Sequence, residues 1–181
     1  MDRLQQFVKE VAALVDAGGG EAPIVEGVRE AMQRLVAEDD WLPAEFTRAH
    51  PQYYQQYLLH ADARDRFSVV SFVWGPGQET PVHDHTVWGV IGMLRGGERC
   101  MRYVAEGGGV LAAGAEALLQ PGDVDVVSPT VGDVHRVANA YDDRVSISIH
   151  AYGANIGKVR RHVFDPETGA VKDFVSGYAN A

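Results

Sequence analysis

The sequence predicts a mainly β fold, an antiparallel barrel or double-sheet jelly roll with α-helices at its N-terminus. Two observations carry this. From about Arg66 onward, short β-branched and aromatic runs alternate with turn residues, and no helical period lies between them. Before that point, apolar residues recur at helical spacing. A chain of 181 residues is long enough to bury a core and short enough to be one domain. Residues 1–60 are expected to be a helical segment packed on a β-barrel of residues 61–181.

Taken in order, Leu4, Phe7, Val8, Val11, Leu14 and Val15 make one apolar stripe, which Gly18-Gly19-Gly20 ends. Ile24, Val28, Ala31, Leu35 and Val36 make a second, and Trp41-Leu42-Pro43 breaks it. Residues 44–60 leave two readings open: Tyr53–Leu59 is a helix or an irregular lead-in to the sheet. Phe67–Trp74 is strand-like and stops at the Gly75-Pro76-Gly77 turn. Further strand-like runs are Pro81–His85, Trp88–Leu94, Arg99–Val104, Ala117–Leu119, Asp123–Val127, Val134–Ala138, Val145–Tyr152 and Arg161–Phe164. Turn signals at Arg95-Gly96-Gly97, Gly107-Gly108-Gly109, Gln120-Pro121-Gly122, Ser128-Pro129 and Tyr141-Asp142-Asp143 separate them.

Composition excludes several classes of function. A net charge of −9 argues against nucleic acid, whose phosphates reward basic surfaces. The N-terminus lacks a basic region followed by an apolar run, and no stretch approaches the roughly 20 apolar residues of a membrane span. Cys100 is the single cysteine and cannot form an internal disulfide, so a reducing, cytoplasmic compartment is expected.

The chemistry concentrates in two segments. His83 and His85 stand at i and i+2 in a strand-like run, so they leave one face with Cα atoms about 6.6 Å apart. Imidazoles at that separation can share one ion at bonds of about 2.0–2.2 Å, whereas Asp84 points away. His135 follows in Gly132-Asp133-Val134-His135 and would complete a three-histidine site. Ser148, His150 and Tyr152 alternate along one strand and share a face. Taken alone, each of these patterns also suits ordinary half-buried strand residues. His50, His60 and His162 read as structural or surface residues, Trp74 and Trp88 as core or pocket wall, and Cys100 as a small buried apolar side chain. The acidic residues of 106–143 read as turn and surface groups.

The two histidine segments resemble the two cupin motifs. Gly77, His83, His85 and Gly96 fall on the first, with Gly89 where the motif carries glutamate. Gly132, His135 and Asn139 fall on the second. Without the glutamate, the pattern is similar to the thiol dioxygenases, namely cysteine dioxygenase and its bacterial 3-mercaptopropionate-oxidising relatives. His83 through Gly89, with Gly92, Leu94, Gly96 and Glu98, resembles the bacterial branch, as does Ser146 through Gly153. The resemblance implies a cupin (double-stranded β-helix) barrel. It also implies Fe(II) on His83, His85 and His135, and addition of both atoms of O₂ to a small carboxylated thiol to give a sulfinate.

The same resemblance assigns roles around the ion. Ser148, His150 and Tyr152 match the family's hydrogen-bonded chain, whose tyrosine could donate to oxygen or to the substrate carboxylate. Animal cysteine dioxygenases link that tyrosine to a cysteine near the position of Gly89 or Val90, so no Cys–Tyr cofactor is expected here. Gln56 stands where cysteine-specific members carry arginine, and Arg161, or its neighbour Arg160, would bind the carboxylate. This implies 3-mercaptopropionate as substrate, with L-cysteine next. A cupin isomerase or lyase using another metal, and a metal-dependent sensor, remain readings from other classes.

Overall fold

The computed structural model describes residues 2–106 and 109–181. Helix α1 spans Arg3–Ala17, and the Asp2 carboxylate accepts a hydrogen bond from the Leu4 N–H at its start. It ends at Gly18, whose φ of 70° suits glycine. Helix α2 spans Glu21–Val36, with Pro23 in the first turn, where its missing N–H costs nothing. A short 3₁₀ turn at Ala44–Thr47 follows the Trp41-Leu42-Pro43 break.

Twelve strands follow: β1 (Gln55–Ala61), β2 (Ser68–Trp74), β3 (Val82–His83), β4 (Gly89–Arg95), β5 (Glu98–Glu106), β6 (Gly109–Ala112), β7 (Ala117–Leu119), β8 (Val124–Val127), β9 (His135–Asn139), β10 (Ser146–Tyr152), β11 (Arg161–Phe164) and β12 (Val171–Phe174). One sheet runs β1-β2-β10-β4-β8, the other β12-β11-β3-β9-β5-β6 with β7 on β5, and the pairings are antiparallel. Facing one another, the two sheets enclose a shared inner core as a β-barrel. The expected Tyr53–Leu59 helix or irregular segment is instead largely strand β1, paired to β2 from Gln55↔Val73 to Ala61↔Ser68. Its Tyr-Tyr-Gln-Gln-Tyr composition offers neither period clearly, so pairing to β2 decides it. Of the expected Gly107-Gly108-Gly109 turn, Gly107 and Gly108 lie outside the described residues, and Gly109 opens β6.

The five-stranded sheet is covered on both faces, which explains why its strands read as continuous apolar runs. Val69 and Val73 of β2, Val90 and Leu94 of β4, and Ile147, Ile149 and Ala151 of β10 pack against Phe7, Val11, Val28, Met32 and Val36 of the helices. The alternate residues Val70, Phe72, Trp74, Ile91, Met93 and Tyr152 turn into the barrel and meet Val137 and Leu119 of the other sheet. The helices are therefore a lid on the outer face, and the inner face is left for the site. Among the described residues, no helix is long and apolar enough to cross a membrane.

Asn139 locks the closed end of the barrel. It is fully buried, and its Nδ2 donates to the carbonyls of Gly75 and Arg144 at 2.9 Å and lies 3.2 Å from that of Trp74. Its Oδ1 accepts from the Tyr141 N–H and the Ser146 hydroxyl. Alanine there would orphan several buried groups at once, so Asn139→Ala is expected to destabilise the fold by about 2–4 kcal/mol, read by thermal or urea unfolding.

Candidate metal centre

Strand pairing brings the histidines together. His83 of β3 is in register with His135 of β9 on the adjacent strand. The expected Pro81–His85 strand is shorter than its sequence suggested: β3 stops at His83, and the chain turns through Thr86 at φ 61°. His85 therefore reaches the site by a turn rather than by strand alternation. The Asp133 carboxylate fixes that turn, accepting from the backbone N–H groups of His85 at 3.1 Å and Thr86 at 2.8 Å. The three rings end 4.8–4.9 Å apart, centroid to centroid.

In all three rings Nδ1 is already engaged. His83 Nδ1 lies 3.0 Å from the Pro81 carbonyl, His85 Nδ1 3.0 Å from Asp133 Oδ1, and His135 Nδ1 3.4 Å from Cys100 Sγ. That leaves Nε2 of each ring as the free donor, and one ligand atom from each residue lies within 4.8 Å of the others. Burial and the neighbouring imidazoles hold His83 down to about 3 and His135 well below the usual histidine value, so both are neutral with a lone pair to offer. Burial works against the Asp133 charge, yet hydrogen bonds from the His85 ring and the two amides hold it below the usual carboxylate range. Three imidazole nitrogens on one point fit a divalent first-row metal such as iron, zinc, nickel or copper. Because Asp133 orients His85, Asp133→Asn is expected to weaken metal binding by roughly 10–100-fold, measured by competition with a chromogenic chelator.

Gly89, at the place of the cupin glutamate, sits across from Tyr152 in the β4–β10 pairing. A Cβ there would come within 2.9 Å of the Tyr152 ring and 3.0 Å of Val127. A glutamate and this tyrosine cannot occupy the barrel together without displacement.

A cavity of about 180 Å³ opens on the three histidines, smaller than the roughly 300–1,000 Å³ that accepts drug-sized ligands. Gln56, Phe72, Tyr152 and Arg161 line its other walls. Ser148, His150 and Tyr152 form the expected chain: Ser148 Oγ to His150 Nε2 at 2.8 Å, and His150 Nδ1 to the Tyr152 hydroxyl at 2.8 Å. Phe72 stacks on His150 at 4.1 Å and holds the ring plane. Burial keeps His150 well below the usual histidine value and raises Tyr152, so both are neutral.

Of the two candidate arginines, Arg161 is buried in the cavity wall, while Arg160 is exposed and paired with Asp173. Arg161 donates from Nη2 to Ser176 Oγ at 2.7 Å, and its guanidinium lies 4.5 Å over the Phe174 ring. Its Nε is buried with no partner, and so is Gln56 Oε1. Burial lowers the Arg161 pKa, but a guanidinium starts so far above neutral that it keeps its charge. Among the described residues, the wall thus carries one arginine, and no aspartate or glutamate lines it.

Three contributors went unread in the sequence. Asp133 is not a surface turn residue but the anchor of His85, and Cys100 is more than an apolar filler because its sulfur touches His135. Glu98 is buried beneath Ser148 and accepts its hydroxyl. Asp133, two residues before His135, was the nearest to a visible signal.

Fold and site together define a small double-sheet β-barrel with three histidines placed to hold a metal ion. The chain belongs to the cysteine dioxygenase type I family, which matches residues 5–165. Among solved structures, it is similar to a Klebsiella pneumoniae protein with a double-stranded β-helix domain, at 18% identity and TM-score 0.48 over 71% of this chain and 90% of that one. It is also similar to a Desulfitobacterium hafniense cupin superfamily protein, at 14% identity and TM-score 0.49 over 65% and 93%. A Thermus thermophilus protein matches at 22% identity and TM-score 0.46 over 61% and 91%.

Proposed function

We propose that the protein is an Fe(II)-dependent thiol dioxygenase acting on a small carboxylated thiol, with 3-mercaptopropionate favoured. The balance is R–SH + O₂ → R–SO₂⁻ + H⁺, so both oxygen atoms end on sulfur and no external reductant is needed. Iron on His83, His85 and His135 would supply the place where thiolate and O₂ meet and the electrons that activate O₂. The family points to this chemistry, and the carrying observation for the substrate is Arg161: a buried cation with an unpartnered N–H, in a cavity wall that carries no acid. A guanidinium fork holds a carboxylate at two points and so fixes where the thiol end lies.

Tyr152 would orient substrate or oxygen, held in place by His150 and Ser148. With no cysteine at Gly89 or Val90, no thioether to Tyr152 is part of this reading. A thiol with an α-ammonium would bring a second charge into a wall without a carboxylate, which is the physical case for 3-mercaptopropionate over L-cysteine. One observation favours L-cysteine as the second reading. The free oxygen of the Gln56 amide is an acceptor that an ammonium could use. The reading implies a cytoplasmic enzyme that needs neither nucleic acid nor membrane.

O₂ uptake by iron-loaded protein, with 3-mercaptopropionate, L-cysteine and mercaptosuccinate at equal concentration, tests the proposal. The largest kcat/KM is expected with 3-mercaptopropionate. Preference for cysteine would overturn the substrate assignment, and no uptake with any of the three would overturn the activity.

A further inference from the structure

The Ser148–His150–Tyr152 chain does not end at serine. Ser148 Oγ also meets a carboxylate oxygen of Glu98 on β5, and the Trp74 indole N–H reaches the same hydroxyl at 3.2 Å. Glu98 is buried and does not line the cavity. A continuous path therefore runs from a sealed carboxyl through serine and imidazole to a phenol on the cavity wall.

Counting donors and acceptors gives this path two opposite arrangements. The Trp74 N–H can only donate. With Glu98 ionised, the Ser148 hydroxyl must donate to it, and Ser148 Oγ then accepts from His150 Nε2–H. His150 Nδ1 is left as an acceptor, so the Tyr152 O–H points at it and the phenol offers the cavity only lone pairs. With Glu98 protonated on the oxygen that meets Ser148, every bond reverses. Glu98 donates to Ser148, Ser148 donates to His150 Nε2, and His150 Nδ1–H donates to the phenol oxygen. The Tyr152 O–H is then free to donate into the cavity. Both arrangements satisfy the same set of contacts, and one proton on Glu98 selects between them.

We propose that Glu98 is a buried proton switch that sets whether Tyr152 donates or accepts a hydrogen bond in the cavity. The proposal rests on the reading of Tyr152 as a group that meets substrate or oxygen. The surroundings of Glu98 keep its two states close in energy. Burial raises it from 4.5 to about 7, opposed in part by hydrogen bonds from Ser148 and Trp74 and assisted by Asp125 of β8. Its other ionisable neighbours are Cys100, two residues along β5, and Tyr152 at the far end of the chain. None of these groups is a cation that would hold the carboxylate ionised. Rising pH would therefore withdraw the Tyr152 donor from the cavity.

The test pairs two readouts on the full chain. In zinc-loaded protein with ¹³C-labelled glutamate carboxyls, the Glu98 signal, assigned by its absence in Glu98→Gln, is expected to titrate near neutral pH. In iron-loaded protein, thiol-dependent O₂ uptake is expected to fall about tenfold per pH unit above that midpoint, as one titrating group requires. Glu98→Gln should remove this falling limb. Ser148→Ala should remove it while the Glu98 carboxyl still titrates, which gives a second route if Glu98→Gln does not fold. A Glu98 carboxyl titrating in the ordinary glutamate range, or a limb unchanged in both variants, would overturn the switch. A near-neutral titration in a protein that oxidises no thiol would instead contradict the dioxygenase reading and leave the carboxyl assignment standing.

Discussion

His135→Ala is expected to abolish stoichiometric metal binding and to reduce thiol-dependent O₂ uptake to background. Among the described residues three donors converge on the centre, each through Nε2 because each Nδ1 is held elsewhere. Alanine leaves two, with no carboxylate in the group to substitute. Loss of an outer partner of a ligand costs roughly 10–100-fold in affinity, and loss of the ligand itself must cost more. The fold should survive, because the ring is replaced on a strand whose ladder to β5 is made by backbone. Iron per chain after gel filtration, beside a circular dichroism spectrum, checks both halves of the expectation.

Arg161→Ala is expected to lower kcat/KM for a carboxylated thiol by about 10²-fold, or about 2.7 kcal/mol. This is the scale of a buried charge-assisted fork. A thiol without a carboxylate, such as ethanethiol, should lose far less. Arg161→Lys should recover part of the loss, because it restores the charge without the fork. Removing an arginine usually breaks an ion pair, but Arg161 has none within 4 Å among the described residues and leaves its Nε unpartnered. The variant is therefore expected to unfold at the same or a higher temperature, since a buried uncompensated charge is lost. Steady-state kinetics with the two thiols, set beside a melting curve, separates a substrate contact from a structural one.

Much of this site was legible because strand alternation and motif spacing act locally. Ser148, His150 and Tyr152 share a face by the period of a strand, and β10 holds them so. His83 and His135 meet through a register between strands fifty residues apart, visible only through the family pattern. His85 meets the other two rings by a different route from the one its strand spacing suggested: a turn pinned by Asp133, not a continuing strand, directs its ring. Asp133, Cys100 and Glu98 were missed because their roles are contacts between strands that no single segment encodes. β1 was ambiguous because its residues are half-buried along its whole length and show no alternation. In the helices, one-sided burial produced the regular apolar stripes that sequence period detects.

The most direct test of the central claim is the fate of oxygen. Iron-loaded protein would be given 3-mercaptopropionate under isotopically labelled dioxygen in unlabelled water, and the product read by mass spectrometry. The account predicts a sulfinate carrying two labelled oxygen atoms. A product carrying one label or none, or oxidation only to the disulfide, would contradict it.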